Sequence, residues 1–200
     1  IDRTTTTADA AMIVNLFSSR KHNPVPQQLY GAVVARARDA GFYTRFGVPD
    51  TFDGRFEMLV MHLFLIHARL QREDRNIRNV SQRVFDAFID DMDSALREAA
   101  VGDQTVPKRI AKMTQVFYGR TGAYETALLN TDRESALAIV IARNLYPDDE
   151  TGGESTAHAS ALATYMSWQV NQLENSTAQA IVNQATVFQG PLLEETAYGT

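Results

Sequence analysis

The 200-residue chain contains no cysteine and only four histidines. The lack of cysteine excludes disulfide bonds, thiol nucleophiles, iron–sulfur ligation and cysteine zinc sites. A helical metal site requires histidines four residues apart or repeated Glu-x-x-His, whereas His62 and His67 are five apart and no Glu-x-x-His occurs. We therefore expect no metal and no cofactor. We expect His62 to be a core or helix-surface residue, with haem ligation as the lesser alternative.

The chain also lacks a long hydrophobic run. The strongest apolar stretch, residues 58–66, is interrupted by His62 and is about half of the roughly 20 residues that a membrane-spanning helix needs. We expect it to be a buried core helix. The threonines at positions 4–7 and Asp9 stand where a signal peptide would have a basic start and an apolar stretch, so none is expected. Because residue 1 is Ile, we expect the first residues to be missing or trimmed.

An excess of positive charge is absent as well. The formal net charge is −5 and the isoelectric point is near 5.4. Such a surface on average repels a phosphate backbone, which argues against nucleic acid as the main partner. A cytoplasmic location is compatible with this composition. At this length, and without a repeat or a linker, we expect residues 1–200 to form one domain.

Apolar residues recur at helical spacing along almost the whole chain, and sustained two-residue alternation is missing. The sequence therefore predicts an all-α, single-domain bundle of about eight helices. The expected helices cover residues 8–19, 27–40, 54–71, 80–99, 106–118, 134–145, 157–173 and 177–187. We expect the tail from residue 190 to be extended or disordered, and residues 148–154 to form a solvated loop.

Several expected helix boundaries depend on capping residues. We expect Gly41 and Gly119 to close the second and fifth helices. Pairs three residues apart resemble capping boxes at the start of the fourth and sixth helices, namely Asn79 with Gln82 and Thr131 with Glu134.

The start of the central, apolar helix has three potential caps. Asp50, Thr51 or Asp53 is expected to cap it, while Gly54 is expected to allow close packing. This structural role is favoured over partner binding for the segment.

A row of aspartates is the clearest acidic cluster. Asp86, Asp90 and Asp93 share one face of the fourth helix and could bind a cation or serve as paired carboxylates. They lie opposite the apolar stripe, so a solvated acidic face is the favoured interpretation. No nucleophile-elbow, phosphate-loop or dinucleotide motif is present, and we expect no enzymatic activity.

The most basic and aromatic segment offers a candidate docking face. It contains Lys108, Arg109, Lys112, Phe117, Tyr118 and Arg120. An ordinary amphipathic helix, with Lys108 and Lys112 one turn apart and the rings buried, explains the same pattern. Both interpretations remain open at the level of sequence.

Three stretches together resemble the ubiquinol–cytochrome c chaperone family. They are FYTRFGVPDTFDGRFEM at 42–58, continuing to HARL at 67–70; FDAFIDDMDSALRE at 85–98 with VGD at 101–103; and VPKRI at 106–110 with FYGR at 117–120 and AY at 123–124. The resemblance extends over residues 28–146, and more faintly to Val187 and Phe188. It is closest to compact bacterial members.

The resemblance implies a non-catalytic assembly factor for the cytochrome bc1 complex. Its client would be newly made cytochrome b, and family members also work near the ribosome exit region with a small partner protein. Such a protein would act in the cytoplasm, peripheral to the inner membrane and not spanning it. The candidate partner-binding residues are Lys108, Arg109, Lys112, Phe117, Tyr118, Arg120, Asp53 and Arg55. The alternative function is a small helical carrier of haem or quinone for the same complex.

Overall fold

The computed structural model describes residues 24–99, 102–147, 153–183 and 187–188. Its helices are α1 (Val25–Ala37), α2 (Ala40–Thr44), α3 (Phe52–Leu70), α4 (Arg75–Glu98), α5 (Val106–Leu128), α6 (Arg133–Leu145), α7 (Glu154–Glu174) and α8 (Ala178–Asn183). The expected helix at 8–19, the tail from residue 190 and most of the expected loop at 148–154 lie outside the described residues.

The predicted all-α class is confirmed, since the described ranges contain no strand, and the expected count of about eight helices is close. Helix α3 is the centre of the bundle and packs against α1, α4, α5, α6 and α7. Every residue from 57 to 66 is buried, as expected for this apolar stretch. Within the described ranges, no helix is both long and apolar enough to cross a membrane.

Thr51 is the cap that begins α3. Its hydroxyl oxygen accepts a hydrogen bond from the amide of Gly54 at 3.1 Å, and the helix begins at Phe52, two residues earlier than expected. The close packing expected at Gly54 is confirmed, because a Cβ atom there would lie 2.0 Å from the carbonyl oxygen of Pro49. The Thr51 cap and the close contact between Gly54 and Pro49 together fix the start of α3, and with it the position of Phe52.

The expected end of the second helix was wrong. Helix α1 ends at Ala37, and Asp39 caps a new short helix by accepting a hydrogen bond from the amide of Gly41 at 3.0 Å. Gly41 therefore lies inside α2 and closes no helix. The capping aspartate, Asp39, favoured the start of a new helix more strongly than Gly41 favoured the end of the previous one.

The capping box expected at Asn79 was also wrong. Helix α4 begins at Arg75, where the Asp74 carboxylate accepts hydrogen bonds from the amides of Asn76 and Ile77 at 2.8 and 3.0 Å. Asn79 is an exposed residue inside the helix. An ionised cap can accept two amides at once, which explains why Asp74 sets the boundary.

Helix α5 does not end at Gly119 but continues to Leu128 through two glycines. The packing of Phe117, Tyr124 and Ala127 in the core outweighs the cost of glycine within a helix, about 1 kcal/mol each. The start of α6 was predicted to within one residue, but its cap is Asp132, which accepts from the amide of Ser135 at 3.2 Å, and not Thr131.

Substitution of Gly54 tests the start of α3. We expect Gly54→Ala to lower the free energy of unfolding by about 1–3 kcal/mol, the range typical of overpacking. The added methyl group meets backbone and not a movable side chain. Gly119→Ala is the matched control, since nothing lies within 4 Å of the added atom and the helix gains propensity. Urea unfolding of both variants measures the difference. Equal stabilities would contradict the close contact.

Candidate functional site

The candidate site is a surface groove of about 630 Å³. It lies between the start of α3, the end of α4, one face of α5 and the end of α6, and we call it the Phe52 groove. The residues that line it are Phe52, Asp53, Phe56, Glu57, Leu96, Arg109, Lys112, Met113, Val116, Arg120, Asn144 and Pro147. Its volume is in the range of clefts that hold a small ligand or a few side chains of a partner.

One face of α5 forms the longest wall of the groove. The lining residues of this helix are Arg109, Lys112, Met113, Val116 and Arg120. Spacings of three and four place them on one side of the helix over a length of about 16 Å. Basic groups stand at both ends of this wall and apolar groups lie between them. An occupant therefore meets an apolar floor with cations at its rim.

Phe52 presents an exposed aromatic ring at the mouth of the groove. The ring is 60% exposed, although it lies stacked on Phe56 with a centroid distance of 6.4 Å and an interplanar angle of 6°. Phe56 in turn contacts the fully buried Phe88 at 6.2 Å. Since large aromatic rings gain free energy from burial, an exposed ring held by a rigid support is a feature of binding surfaces.

An ion pair between α3 and α5 closes the base of the groove. Arg120 Nε donates to both carboxylate oxygens of Glu57, at 2.9 and 3.1 Å, and its Nη2 donates to Oε1 at 2.8 Å. The Glu57 side chain is only 7% exposed, whereas Arg120 is 26% exposed. The hydrogen bonds to Glu57 raise the pKa of Arg120 further, so it remains cationic. This fork geometry fixes the guanidinium in one orientation.

The groove differs in charge from the rest of the protein. Three cations and two carboxylates line it, which leaves one net positive charge in a chain of net charge −5. Glu57 is occupied by Arg120, so the charges that face an occupant are mainly Arg109 and Lys112, with Asp53 as the opposing acid. The Asn144 Nδ2 atom is buried and has no hydrogen-bond partner among the described residues.

The structure brings together half of the residues that the sequence suggested. Asp53, Arg109, Lys112 and Arg120 all line the Phe52 groove. Arg55 does not, because it lines a smaller neighbouring cavity of about 220 Å³ on the other side of Phe52. There its Nε donates to the Asp50 carboxylate at 2.6 Å, and this bond lowers the pKa of Asp50.

The other three suggested residues lie outside the groove. Phe117 is buried, with 1% of its surface exposed, and contacts Phe85 and Phe88 at 4.8 and 6.2 Å. Its position supports the core below the groove and offers no surface to a partner. Tyr118 is 54% exposed and contacts Phe85 at 5.8 Å, and Lys108 is exposed without lining any of the described cavities.

Sequence reasoning did not select the apolar floor, Glu57 or Asn144. Glu57 carried a signal, because an acid within a helix that is apolar on all sides must find a buried partner. Phe52 also carried one, as a large apolar residue directly after a cap. Asn144 carried none, since it reaches the groove from α6, far away along the chain.

His62, the lesser haem-ligand candidate, is fully buried and its two ring nitrogens are both in use. The carbonyl oxygen of Met58 lies 2.7 Å from Nδ1, so Nδ1 carries the proton and donates. Nε2 accepts from the Tyr165 hydroxyl at 2.9 Å, and that hydroxyl accepts from Arg36 Nε at 3.1 Å. This chain of hydrogen bonds links α1, α3 and α7, and it gives His62 the structural role that was favoured.

The acidic face of α4 agrees with its solvated interpretation. Asp86 and Asp90 are exposed, and Asp93 pairs with Arg97 at 2.6 Å, which lowers the pKa of Asp93. In the portion of the chain that the structure describes, no group of three or more acids and histidines is arranged to hold a metal ion.

Comparison with known proteins gives one family. The family model described as ubiquinol-cytochrome C chaperone matches residues 44–188. The chain is also similar to the crystal structure of the Cbp3 homolog from Brucella abortus, with a TM-score of 0.72, 38% identity, and coverage of 88% of this chain and 94% of the other.

More distant relatives are named as assembly factors. The human ubiquinol-cytochrome c reductase complex assembly factor 1 is 22% identical over 168 residues, which cover 84% of this chain and 54% of the human protein. The Xenopus laevis protein of the same name is 21% identical, with coverage of 85% and 82%. The chain thus spans about half the length of the human relative.

Removal of Arg120 tests the ion pair at the base of the groove. We expect Arg120→Met to lower the free energy of unfolding by about 3 kcal/mol, because the Glu57 carboxylate stays buried without its partner. The double variant Glu57→Gln with Arg120→Met removes both charges and should recover most of this loss. Urea unfolding of the two single variants and the double variant measures the coupling. A loss below about 1 kcal/mol would identify the pair as an ordinary surface pair.

The buried His62 predicts a pH dependence of stability. Burial lowers the pKa of His62 from 6.5 to about 4. Between these pH values the unfolded chain binds more protons than the folded one. The contribution of the neutral, buried His62 to stability is therefore fully present above about pH 6.5 and is lost as the pH falls towards 4. We expect about 2 kcal/mol of this loss between pH 7 and pH 5. His62→Gln should show a flatter dependence in urea unfolding at several pH values, although His67, whose pKa burial also lowers, keeps part of it. An unchanged slope would contradict this assignment.

Proposed function

The chain belongs to the ubiquinol–cytochrome c chaperone family, and from this membership we propose that it is a non-catalytic assembly factor for the cytochrome bc1 complex. The names of its relatives, which include assembly factors of ubiquinol-cytochrome c reductase, support the proposal. The client is newly made cytochrome b, which is apolar and lacks its neighbours until the complex forms.

The Phe52 groove is the proposed client-binding site. The observation that carries this assignment is the Phe52 ring, which remains 60% exposed although Phe56 and Phe88 support it from below. An apolar floor can cover a client segment, and a rim with few charges lets that segment leave without breaking many ion pairs. Binding and release of a client require no catalytic group.

The place of action follows from the same client. Cytochrome b is made at the membrane, so the proposed location is the cytoplasmic side of the inner membrane, with the chain bound peripherally. The family resemblance adds the ribosome exit region and a small partner protein as further proposed contacts. Lys108, Tyr118 and Arg55 lie outside the Phe52 groove and remain candidates for those contacts.

Substitution of the exposed ring tests the client site. We expect Phe52→Ser to reduce capture of cytochrome b about tenfold, since loss of an anchoring aromatic contact commonly costs more than about 1 kcal/mol of binding free energy. The measurement is a pull-down from membranes of the source organism with cytochrome b quantified, together with the level of cytochrome b in cells that carry the variant.

Ile139→Ser is the matched control. Ile139 is a large apolar residue that is 71% exposed on α6, and it lines none of the described cavities. It should leave capture unchanged, and both variants should unfold at nearly the wild-type urea concentration. Normal capture by Phe52→Ser, or an equal loss in both variants, would remove the groove as the client site. A Soret band or extractable quinone in the purified protein would instead favour the carrier function.

A further inference from the structure

The chemistry of the Phe52 groove also defines the segment that fits it. We propose that the groove selects a peptide segment in which an acidic side chain stands beside apolar side chains, with the carboxylate bound at Lys112 and Arg109. This inference rests on the proposed function, because it describes what the client presents at the same site.

The cations of the rim are the first argument. Arg109 and Lys112 are exposed, stand three residues apart on the wall formed by α5, and have no ion-pair partner in the described part of the chain. Arg55 and Arg97, in contrast, each pair with a nearby aspartate. The excess of positive charge at the groove is therefore left for an occupant, and a carboxylate complements it.

Unused hydrogen-bond donors are the second argument. Glu57 engages Nε and Nη2 of Arg120, which leaves Nη1 for an acceptor. Asn144 lines the same groove, and its Nδ2 atom is buried without a partner in the described structure. A buried donor without an acceptor destabilises the unoccupied groove, and a carbonyl oxygen of the occupant would remove that cost.

The apolar floor explains why a bare anion would not suffice. Phe56, Met113 and Val116, with Phe52 at the mouth, offer only dispersion and hydrophobic contact. Along α5, Met113 and Val116 lie between the pair Arg109 and Lys112 and the donor Arg120. An occupant that carries apolar side chains next to an acid satisfies both parts of the groove. A volume of about 630 Å³ holds a few side chains, so a short segment is enough.

Three fluorescent peptides test this selectivity. They share one apolar pattern and differ at a single position, which is Glu, Gln or Lys. We expect the Glu peptide to bind the wild-type protein about tenfold more tightly than the Gln peptide, and the Lys peptide to bind most weakly. Fluorescence anisotropy at low and high salt gives the affinities, and the preference should shrink as salt screens the charges.

Charge exchange at Lys112 is the decisive variant. Lys112→Glu should reverse the order, so that the Lys peptide binds more tightly than the Glu peptide. Arg83→Glu is the control, because Arg83 is exposed on α4 about 20 Å along the helix from the groove residue Leu96. It makes the same change of net charge and should leave the order unchanged.

The outcomes separate this inference from the proposed function. Reversal by Lys112→Glu but not by Arg83→Glu supports the carboxylate site, whether or not cytochrome b proves to be the client. Equal affinity for all three peptides, or an equal response to both charge changes, overturns it while leaving client capture by Phe52 intact. Displacement of the peptide by haem at equimolar concentration would also overturn it, since the site would then belong to a carrier.

Discussion

The structure depends on the enclosure of α3 on nearly all sides. Between Glu57 and His67 this helix is surrounded by five others, so each polar group there must find a partner on a neighbour. Glu57 binds Arg120 of α5, His62 binds Tyr165 of α7, and His67 Nδ1 lies 3.1 Å from the Ser81 hydroxyl of α4. Apolar packing holds the helices together, and these three bonds determine which neighbour stands where.

The Phe52 groove is a consequence of the same enclosure. Glu57, about one turn after Phe52, is the first residue of the continuously buried part of α3, and it binds Arg120 of α5. This places the wall formed by α5 beside the start of α3 and leaves a gap that Leu96 of α4 and Asn144 of α6 line but do not fill. The exposed ring is held from the other direction by Phe56 and Phe88. All the residues that line the groove except Pro147 lie in helices.

The local sequence was sufficient to predict the all-α fold class and the central helix α3, because the buried residues 57–66 largely coincide with an apolar run in the sequence. It was insufficient where two signals competed. Gly119 resembles a helix end, yet α5 continues because Phe117 and Tyr124 pack on both sides of it. For the site, the basic wall of α5 was visible in the sequence, whereas the acid that orients Arg120 lies 63 residues earlier and Asn144 comes from α6. Such contacts are set by tertiary packing and leave no periodic pattern.

The ion pair also limits how strongly the groove could hold the proposed client. Arg120 is already neutralised by Glu57, so an acceptor oxygen of the proposed client would gain a directed hydrogen bond from it but little net Coulomb attraction. The attraction comes from Arg109 and Lys112, which are exposed and therefore screened by water and salt. The apolar floor must then supply most of the affinity, while the charges select the register of the segment. On the proposed function, a groove built in this way would bind an immature subunit for as long as its apolar surface lacks a better partner, and would release that surface once assembly provides one.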